Sequence, residues 1–394
     1  MLIDRRLVKD KPTKQYLCCF FILSVLLYCQ CLPSAQADED TCLINFGQQQ
    51  CGPFEALPGV IIKAVLSKQH LQERLNRQVT QLAMLGEANL YLMPSDNPRQ
   101  DAEALSREDG ILYAQPDIVQ PRSLHGYSSE TDFTATLPAA LRANKGEGIK
   151  VAVIDDGFNL EHEDLKGATV GFSYDADLKQ LGATPQVRGD RHGTQVAGVV
   201  VAQHNGLGID GIAPRATLIP IRQASTRTSD TVLSFTVANL AGADIINCSW
   251  NSRVLMEPVN DVIQYLTQHG RNGRGSIIIF AAGNEGQPIK PGSKESAINT
   301  VITVGSQLKG KIAPYSNYGE RVDLYLPGQI RTTYHQGYGW FNGTSASAAM
   351  ASGLSALLLA SNPTLTLKEL QETLVARSKE IWPLSATQAD AQKD

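Results

Sequence analysis

The stretch VAVIDDG, residues 151–157, places four apolar residues directly before two adjacent aspartates and a glycine. An apolar run without alternating polar residues is typical of a strand buried on both faces of a parallel sheet. Burying charge is costly unless it is paired, so at least one of the aspartates should have a partner elsewhere in the chain. Functional groups gather at the carboxyl ends of such strands, where Asp155 and Asp156 stand.

Four further apolar runs follow, each with the character of a buried strand. They are ATLIPIR (216–222), DIINCSW (244–250), SIIIFAA (276–282) and TVITVG (300–305). Helical stretches between them span residues 193–203, 229–241 and 258–269. We therefore predict an α/β domain over residues 147–380, with a doubly wound, mostly parallel sheet flanked by helices. Residues 381–394 are expected to form a C-terminal tail.

A smaller alternating pattern precedes this domain, at residues 59–122. The segments GVIIKAV, ANLYLMP and ILYAQPDIV are predicted strands, and residues 67–85 have helical spacing. A second helix is expected to begin near Pro98, because proline is favoured in a first helical turn. This region is predicted to be a small α+β domain, and the turn-rich residues 123–146 are predicted to be a linker.

The first 37 residues differ from the rest of the chain. A basic stretch precedes the apolar run 16–32, and Ala35 and Ala37 then match the −3 and −1 pattern of a signal-peptidase site. The alternative is an uncleaved membrane anchor, but a spanning helix needs about 20 residues. We predict a cleaved signal peptide at 1–37, a polar leader at 38–58, no stable membrane anchor, and export to the periplasm or the extracellular space.

Charge and cysteine content narrow the classes of partner and chemistry. The formal charge is −4, and no cluster of basic and aromatic residues indicates nucleic acid as a partner. In an oxidising compartment Cys42 and Cys51 could form a disulfide, with two free thiols as the alternative. Cys248 lies in an apolar run and is expected to be a small buried residue rather than a nucleophile.

Three segments bring together the groups of a hydrolytic triad. His192 opens an apolar helix in DRHGTQVAGVVVA, and Ser345 opens another in FNGTSASAAMASGLSALLLA. With an aspartate of VAVIDDG they supply an orienting acid, a general base and a nucleophile. Asn284, between Gly283 and Gly286, could donate to a developing oxyanion. Each residue alone is an ordinary turn or cap residue; together they indicate one site.

The motifs VAVIDDG, HGTQVAG, GTSASAAMASG and AAGNEG resemble those of the subtilisin-like serine proteases, the subtilases. The resemblance spans roughly residues 147–378. It implies that Asp155 orients His192, that His192 is the base, that Ser345 is the nucleophile and that Asn284 is the oxyanion donor. It also implies that residues 59–122 are a propeptide, which acts as chaperone and inhibitor.

The two aspartates receive different roles. Successive side chains of a strand point to opposite faces, so only one aspartate can face the imidazole. The resemblance selects Asp155, because the family's acid directly follows the aliphatic strand. Asp156 is expected to be a turn or groove residue with a supporting role.

The substrate groove and a metal site follow from the resemblance alone. One wall of the groove would be Ser249, Trp250 and Asn251, and the opposite wall Ala281, Ala282 and Gly283. Trp250 could instead pack in the core. The family's calcium site would involve Asp164 and Asn205, and the alternative is an ordinary turn. Calcium would be structural only, since the chemistry requires no cofactor.

Some positions depart from the family's pattern. Ala349 stands where proline is usual, and Leu326 where alanine is usual. The adjacent pair Asp155 and Asp156 is similar to the kexin-like branch. However, SWNSRV (249–254) lacks the acids by which that branch recognises basic residues, so dibasic processing is not expected.

We therefore predict a secreted or periplasmic serine endopeptidase, made as a precursor, which hydrolyses protein or peptide substrates through an acyl-enzyme on Ser345. Its own propeptide is an expected partner, autoprocessing is expected between about 117 and 125, and the enzyme is expected to be a monomer. One alternative is a catalytically silent, protease-like binding or chaperone protein. Another is a nucleotide-binding domain, but IDDGFNLEHEDL lacks the G-x-G-x-x-G turn that this would need.

Overall fold

The computed structural model describes residues 41–52, 54–123 and 143–385. The predicted signal peptide and most of the predicted C-terminal tail lie outside these residues. The strands are β1 Thr41–Asn45, β2 Gln48–Gly52, β3 Glu55–Ala64, β4 Thr80–Leu85, β5 Ala88–Pro94, β6 Ile111–Val119, β7 Arg122–Ser123, β8 Lys150–Asp155, β9 Tyr174–Asp175, β10 Gln180–Leu181, β11 Thr217–Arg222, β12 Ile245–Cys248, β13 Asn251–Ser252, β14 Ile277–Ala281, β15 Ile302–Leu308, β16 Lys311–Ile312, β17 Leu324–Pro327, β18 Gln329–Thr333 and β19 Tyr338–Asn342. The α-helices of the described residues are α1 Lys68–Leu75, α2 Pro98–Leu105, α3 His192–Val201, α4 Thr228–Leu240, α5 Glu257–Gly273, α6 Thr344–Ser361 and α7 Leu367–Ile381.

The large sheet has nine strands in the order β10-β9-β11-β8-β12-β14-β15-β16, with β17 also paired to β15. Only the pairings of β10 and β16 are antiparallel. The central strand β8 lies between β11 and β12, and the chain builds the sheet outward from it in both directions. The predicted doubly wound, mostly parallel sheet is confirmed. The carboxyl end of β8, which is Asp155, therefore lies at the point where strand order reverses.

Both faces of β8 are covered by helices. Val151 and Val153 pack in a core with α3, α6 and α7, whereas Ala152 and Ile154 pack in a second core with α4 and α5. Burial on both faces explains why the strand reads as a continuous apolar run. Helix α6 is long and apolar enough to span a membrane, yet 89% of it is buried inside the protein, as expected of a core helix.

The small domain is an antiparallel sheet in the order β4-β5-β3-β6. Residues alternate along β3: Val60 and Ile62 pack with α1 and α2, whereas Ile61 packs in the core that also contains residues of α4 and α5. Polar contacts add to this interface. Asp117 accepts hydrogen bonds from Ser229 N (3.0 Å) and Ser229 Oγ (2.6 Å) at the start of α4. The small sheet therefore docks on two surface helices of the large domain.

The structure differs from the sequence-based expectation at two places before residue 86. The helical spacing at 67–85 is realised only as far as Leu75, because Asn76 adopts a left-handed conformation (φ 50°) and strand β4 follows. The leader 38–58 contains the hairpin β1–β2, in which the backbones of Cys42 and Cys51 are register partners. Their side chains lie outside the described part, so the disulfide stays a prediction.

Candidate active site

Asp155 and His192 meet at the carboxyl end of β8. His192 Nδ1 lies 2.8 Å from Asp155 Oδ1 and 2.9 Å from Oδ2, and both side chains are buried. A carboxylate at Nδ1 fixes the proton there and leaves Nε2 as the basic nitrogen. Nε2 is buried and has no hydrogen-bond partner among the residues that the structure describes. The ring of Phe341 packs edge-on against the imidazole, with centroids 5.1 Å apart.

Asp156 caps the helix that carries His192. Its Oδ2 accepts the backbone N–H groups of Arg191 and His192, both at 3.1 Å, and its Oδ1 accepts that of Gly193 at 2.8 Å. These are N–H groups at a helix start, which have no acceptor inside the helix. Asp155 thus binds the imidazole of His192, and Asp156 binds the backbone N–H groups at the start of the same helix. The sequence predicted only a supporting turn or groove role for Asp156, and the backbone that it caps lies 35 residues further along the chain.

The shared burial shifts the titration of both groups. Burial raises the pKa of Asp156 to about 7, and the neighbouring charge of Asp155 adds to this effect. Burial alone lowers the pKa of His192, but the charge and hydrogen bond of Asp155, with the charge of Asp156, outweigh it and raise that pKa above its usual value. The carboxylates therefore stabilise the imidazolium that forms when the base takes a proton.

Ser345 is the second residue of α6. Its Oγ donates to the carbonyl oxygen of Ser249 at 2.8 Å, and Ser249 Oγ donates in return to the carbonyl oxygen of Ser345 at 3.0 Å. The Ser345 hydroxyl must therefore leave this carbonyl before it can donate to His192. The backbone N–H of Ser345 lies in the first turn of α6, where N–H groups point out of the helix.

Thr344 holds the amide of Asn284 in one orientation. Asn284 Oδ1 accepts from Thr344 N (2.9 Å) and Thr344 Oγ1 (3.1 Å), while Thr344 Oγ1 accepts from Gly283 N (3.1 Å). With its oxygen engaged, Asn284 is left to donate through Nδ2. The arrangement presents an amide donor next to the N-terminus of α6, as an oxyanion hole requires.

Asn317 shapes the loop that carries Asn284. It accepts the N–H groups of Glu285 (3.2 Å) and Gln287 (2.9 Å) and donates to the Ala282 carbonyl (3.0 Å). Gly283 has φ 103°, and a Cβ there would overlap the Asn317 amide, so glycine is required. Asn317 belongs to the segment YSNYG, residues 315–319, which by itself indicates no role.

The six residues predicted to line the substrate groove are all buried; they are Ser249, Trp250, Asn251, Ala281, Ala282 and Gly283. Asn251 Nδ2 donates to the Ala281 carbonyl and so links the two predicted walls. The Trp250 side chain packs on Phe280 (centroids 5.4 Å apart) and donates to the Ile154 carbonyl at 2.7 Å. Only its backbone is left for a groove, and the groove itself stays a prediction.

The predicted calcium residues do not form the oxygen set that calcium needs. Asp164 Oδ2 accepts Ile209 N (3.0 Å) and Asn205 Oδ1 accepts Leu207 N (2.8 Å). Asp164 Oδ1 has no hydrogen-bond partner among the described residues, but calcium takes six to eight oxygens, and each of the two predicted side chains already uses one oxygen to accept a backbone N–H. The Tyr338 ring packs so closely on Gly208 that a Cβ there would overlap it. The ring therefore occupies the space beside the loop that carries Asn205.

A buried arginine supports the site from the neighbouring strand. Arg222 is the register partner of Asp155 and is bonded to Asp175, Asp177 (3.0 Å) and Asp190 (3.1 Å). Asp190 lies two residues before His192, so the guanidinium ties the approach to α3 to the sheet. The sequence did not indicate this cluster, because its acids come from separate loops.

Comparison with known proteins gives consistent matches. The sequence profile of the subtilase family matches residues 146–392. The "Calcium-dependent protease" of Nostoc sp. strain PCC 7120 is 28% identical over 341 residues, which cover 72% of this chain and 51% of that protein. The "Minor extracellular protease Epr" of Bacillus subtilis is 32% identical over 244 residues, which cover 58% of this chain and 35% of that protein. The chain thus spans about half or less of the length of these relatives.

One solved structure covers most of the chain. Fervidolysin from Fervidobacterium pennivorans, described as a keratinolytic enzyme related to subtilisin, aligns with a TM-score of 0.65 at 19% identity. The alignment covers 80% of this chain and 56% of that one. At this identity the likeness concerns the fold alone.

Proposed function

The chain belongs to the subtilase family, and on that premise we propose that it is a serine endopeptidase, made as a self-inhibited precursor and exported. The observation that carries the proposal is the buried pair of Asp155 and His192, at the same sheet edge as Ser345 and Asn284. Acid, base, nucleophile and oxyanion donor are then all present with defined partners. A catalytically silent binding protein would not need a base with a free, buried Nε2.

The proposed reaction begins when Ser345 Oγ attacks the carbonyl carbon of the scissile peptide bond and His192 Nε2 accepts the hydroxyl proton. Asn284 Nδ2 and the Ser345 N–H stabilise the negative oxygen of the tetrahedral intermediate. His192 then donates its proton to the leaving amine, and an acyl-enzyme remains. Water, deprotonated by His192, attacks the ester carbonyl and releases the acid product. Asp155 keeps the imidazole in the required tautomer throughout.

A fluorophosphonate probe separates the enzyme from the silent alternative. Processed protein should be labelled stoichiometrically, and the Ser345→Ala variant should not be labelled. A folded, processed protein that takes up no probe would rule out the enzyme. Labelling that persists in Ser345→Ala would assign the nucleophile to another residue.

The precursor proposal is supported by the docked small domain and by strand β7. Residues Arg122–Ser123 pair antiparallel with Asn251–Ser252, and Asn251 belongs to the predicted groove wall. Mass spectrometry of wild type and Ser345→Ala tests self-cleavage: the wild type should lose residues up to about 117–125, and the variant should keep them. The same mature N-terminus in both would contradict autoprocessing.

Export is supported by the composition of residues 1–37 and by the word "extracellular" in the name of the Bacillus relative. Fractionation of expressing cells, with and without these residues, tests it. A calcium requirement, as the name of the cyanobacterial relative states for that protein, is not part of the proposal, because the oxygen donors around Asp164 do not fit the ion.

A further inference from the structure

The segment before residue 124 lies along the candidate groove in a defined direction. Strand β7 pairs with β13 so that Ser123 faces Asn251 and Arg122 faces Ser252. Strand β13 begins two residues after Ser249, whose carbonyl oxygen accepts the Ser345 hydroxyl. Since the pairing is antiparallel, the chain advances toward the nucleophile as its residue numbers rise. Residues before Ser123 therefore occupy the acyl side of the groove.

Gln120 is a buried polar residue of this segment, with only 3% of its surface exposed. Its Nε2 donates to the Val254 carbonyl at 2.8 Å, and its Oε1 accepts the Val254 N–H at 2.8 Å. Its backbone N–H donates to Thr226 Oγ1 at 3.2 Å. The primary amide thus pairs with one residue's backbone in the way that a neighbouring strand would.

We propose that this pocket selects a glutamine side chain in substrates, three positions before the residue that takes the place of Ser123. The proposal rests on the proposed peptidase function. The primary amide of glutamine offers one donor and one acceptor at once to the backbone of Val254. Glutamate would place a carboxylate against a carbonyl oxygen, methionine offers neither hydrogen bond, and asparagine is one methylene too short. A buried polar group left without its partner is costly, so the pocket discriminates against all three.

Peptides with the chain's own sequence from residues 117–130 test the pocket. The position of Gln120 is kept as glutamine or replaced by methionine, glutamate or asparagine, and kcat/KM is measured with the processed enzyme. The loss of two hydrogen bonds should lower kcat/KM of the methionine peptide by about 30-fold, and glutamate should be worse. Mass spectrometry verifies that all the peptides are cut at the same bond.

A matched variant keeps the test specific. Thr226→Val removes the acceptor of a backbone N–H that every peptide has, so it should weaken all four peptides about equally and preserve the order. Equal rates for glutamine and methionine would overturn the pocket while leaving the peptidase function intact. If neither the peptides nor unfolded casein were cleaved, the peptidase function itself would fail.

Discussion

Replacing Asp155 and Asp156 by asparagine, one at a time, separates the two carboxylates that end β8. In Asp155→Asn, the amide can present oxygen to only one of its two neighbours. Asp156 N donates to Oδ1 at 2.8 Å and His192 Nδ1 lies against both oxygens. An amide NH2 facing Nδ1 makes that nitrogen an acceptor and moves the ring proton to Nε2. The base is then blocked, and kcat at neutral pH should fall by about 10⁴.

Asp156→Asn keeps one of the oxygens that accept the helix N–H groups and removes the charge. The expected loss of unfolding free energy is about 1 kcal/mol, from the weakened cap and the helix dipole, which is about 2–4 °C in Tm for a domain of this size. At pH 8, kcat/KM should stay within about tenfold of wild type. Because the Asp156 charge raises the pKa of His192, its removal should move the acid limb of the profile to lower pH.

The assay is kcat/KM from pH 5 to 9 on a fluorogenic peptide, with Tm measured in the Ser345→Ala background to prevent self-digestion. The reasoning fails if Asp156→Asn loses far more activity than Asp155→Asn. It also fails if the acid limb of Asp156→Asn moves to higher pH.

Three further outcomes follow from the site. Thr344→Val removes the hydroxyl that donates to Asn284 Oδ1 and leaves the amide held by the Thr344 backbone N–H alone. It should lower kcat about tenfold, whereas Thr344→Ser should restore most of it; equal losses in both would contradict the orienting role. Arg222→Met removes the cation from the buried carboxylates of Asp175 and Asp190 and should destabilise the protein by about 3–5 kcal/mol in urea denaturation; a change under about 1 kcal/mol would contradict it. EDTA should leave Tm and activity unchanged in calcium-free buffer, and a fall in Tm that calcium reverses would contradict the assessment of the Asp164 loop.

The large domain could be predicted from sequence because its strands are buried on both faces. A continuous apolar run as short as residues 151–154, bounded by charged residues, suits a buried strand and is too short for a buried helix. The order of such runs, with helices between them, leaves a doubly wound sheet. The elements of the small domain were harder to predict from the sequence. The spacing of residues 67–85 suited a single helix, yet the helix ends where Asn76 adopts a left-handed conformation. Residues Thr80–Leu85 instead form strand β4, which pairs with β5.

The candidate site divides in a similar way. His192 and Ser345 could be placed because each opens an apolar helix whose motif resembles the family's, and Asp155 because the resemblance implies that the acid directly follows the aliphatic strand. The groups that hold these three residues in position could not be predicted from the sequence. Asp156 reaches the start of α3, and Thr344 holds Asn284 across 60 residues. Such contacts depend on which loops the fold brings together, and local sequence does not encode that.

Strand β7 and its partner β13 belong to one covalent chain, and this connection affects when the groove becomes free for a substrate. A tethered segment meets its groove at an effective concentration of about millimolar, whatever the dilution of the protein. Once a bond beyond Ser123 is cut, the same contact depends on the bulk concentration of the released fragment. In the proposed precursor, cleavage alone therefore leaves the groove occupied, and dilution or destruction of the fragment opens it. The volume into which the protein is exported would then set how quickly the released fragment is diluted and the groove becomes free.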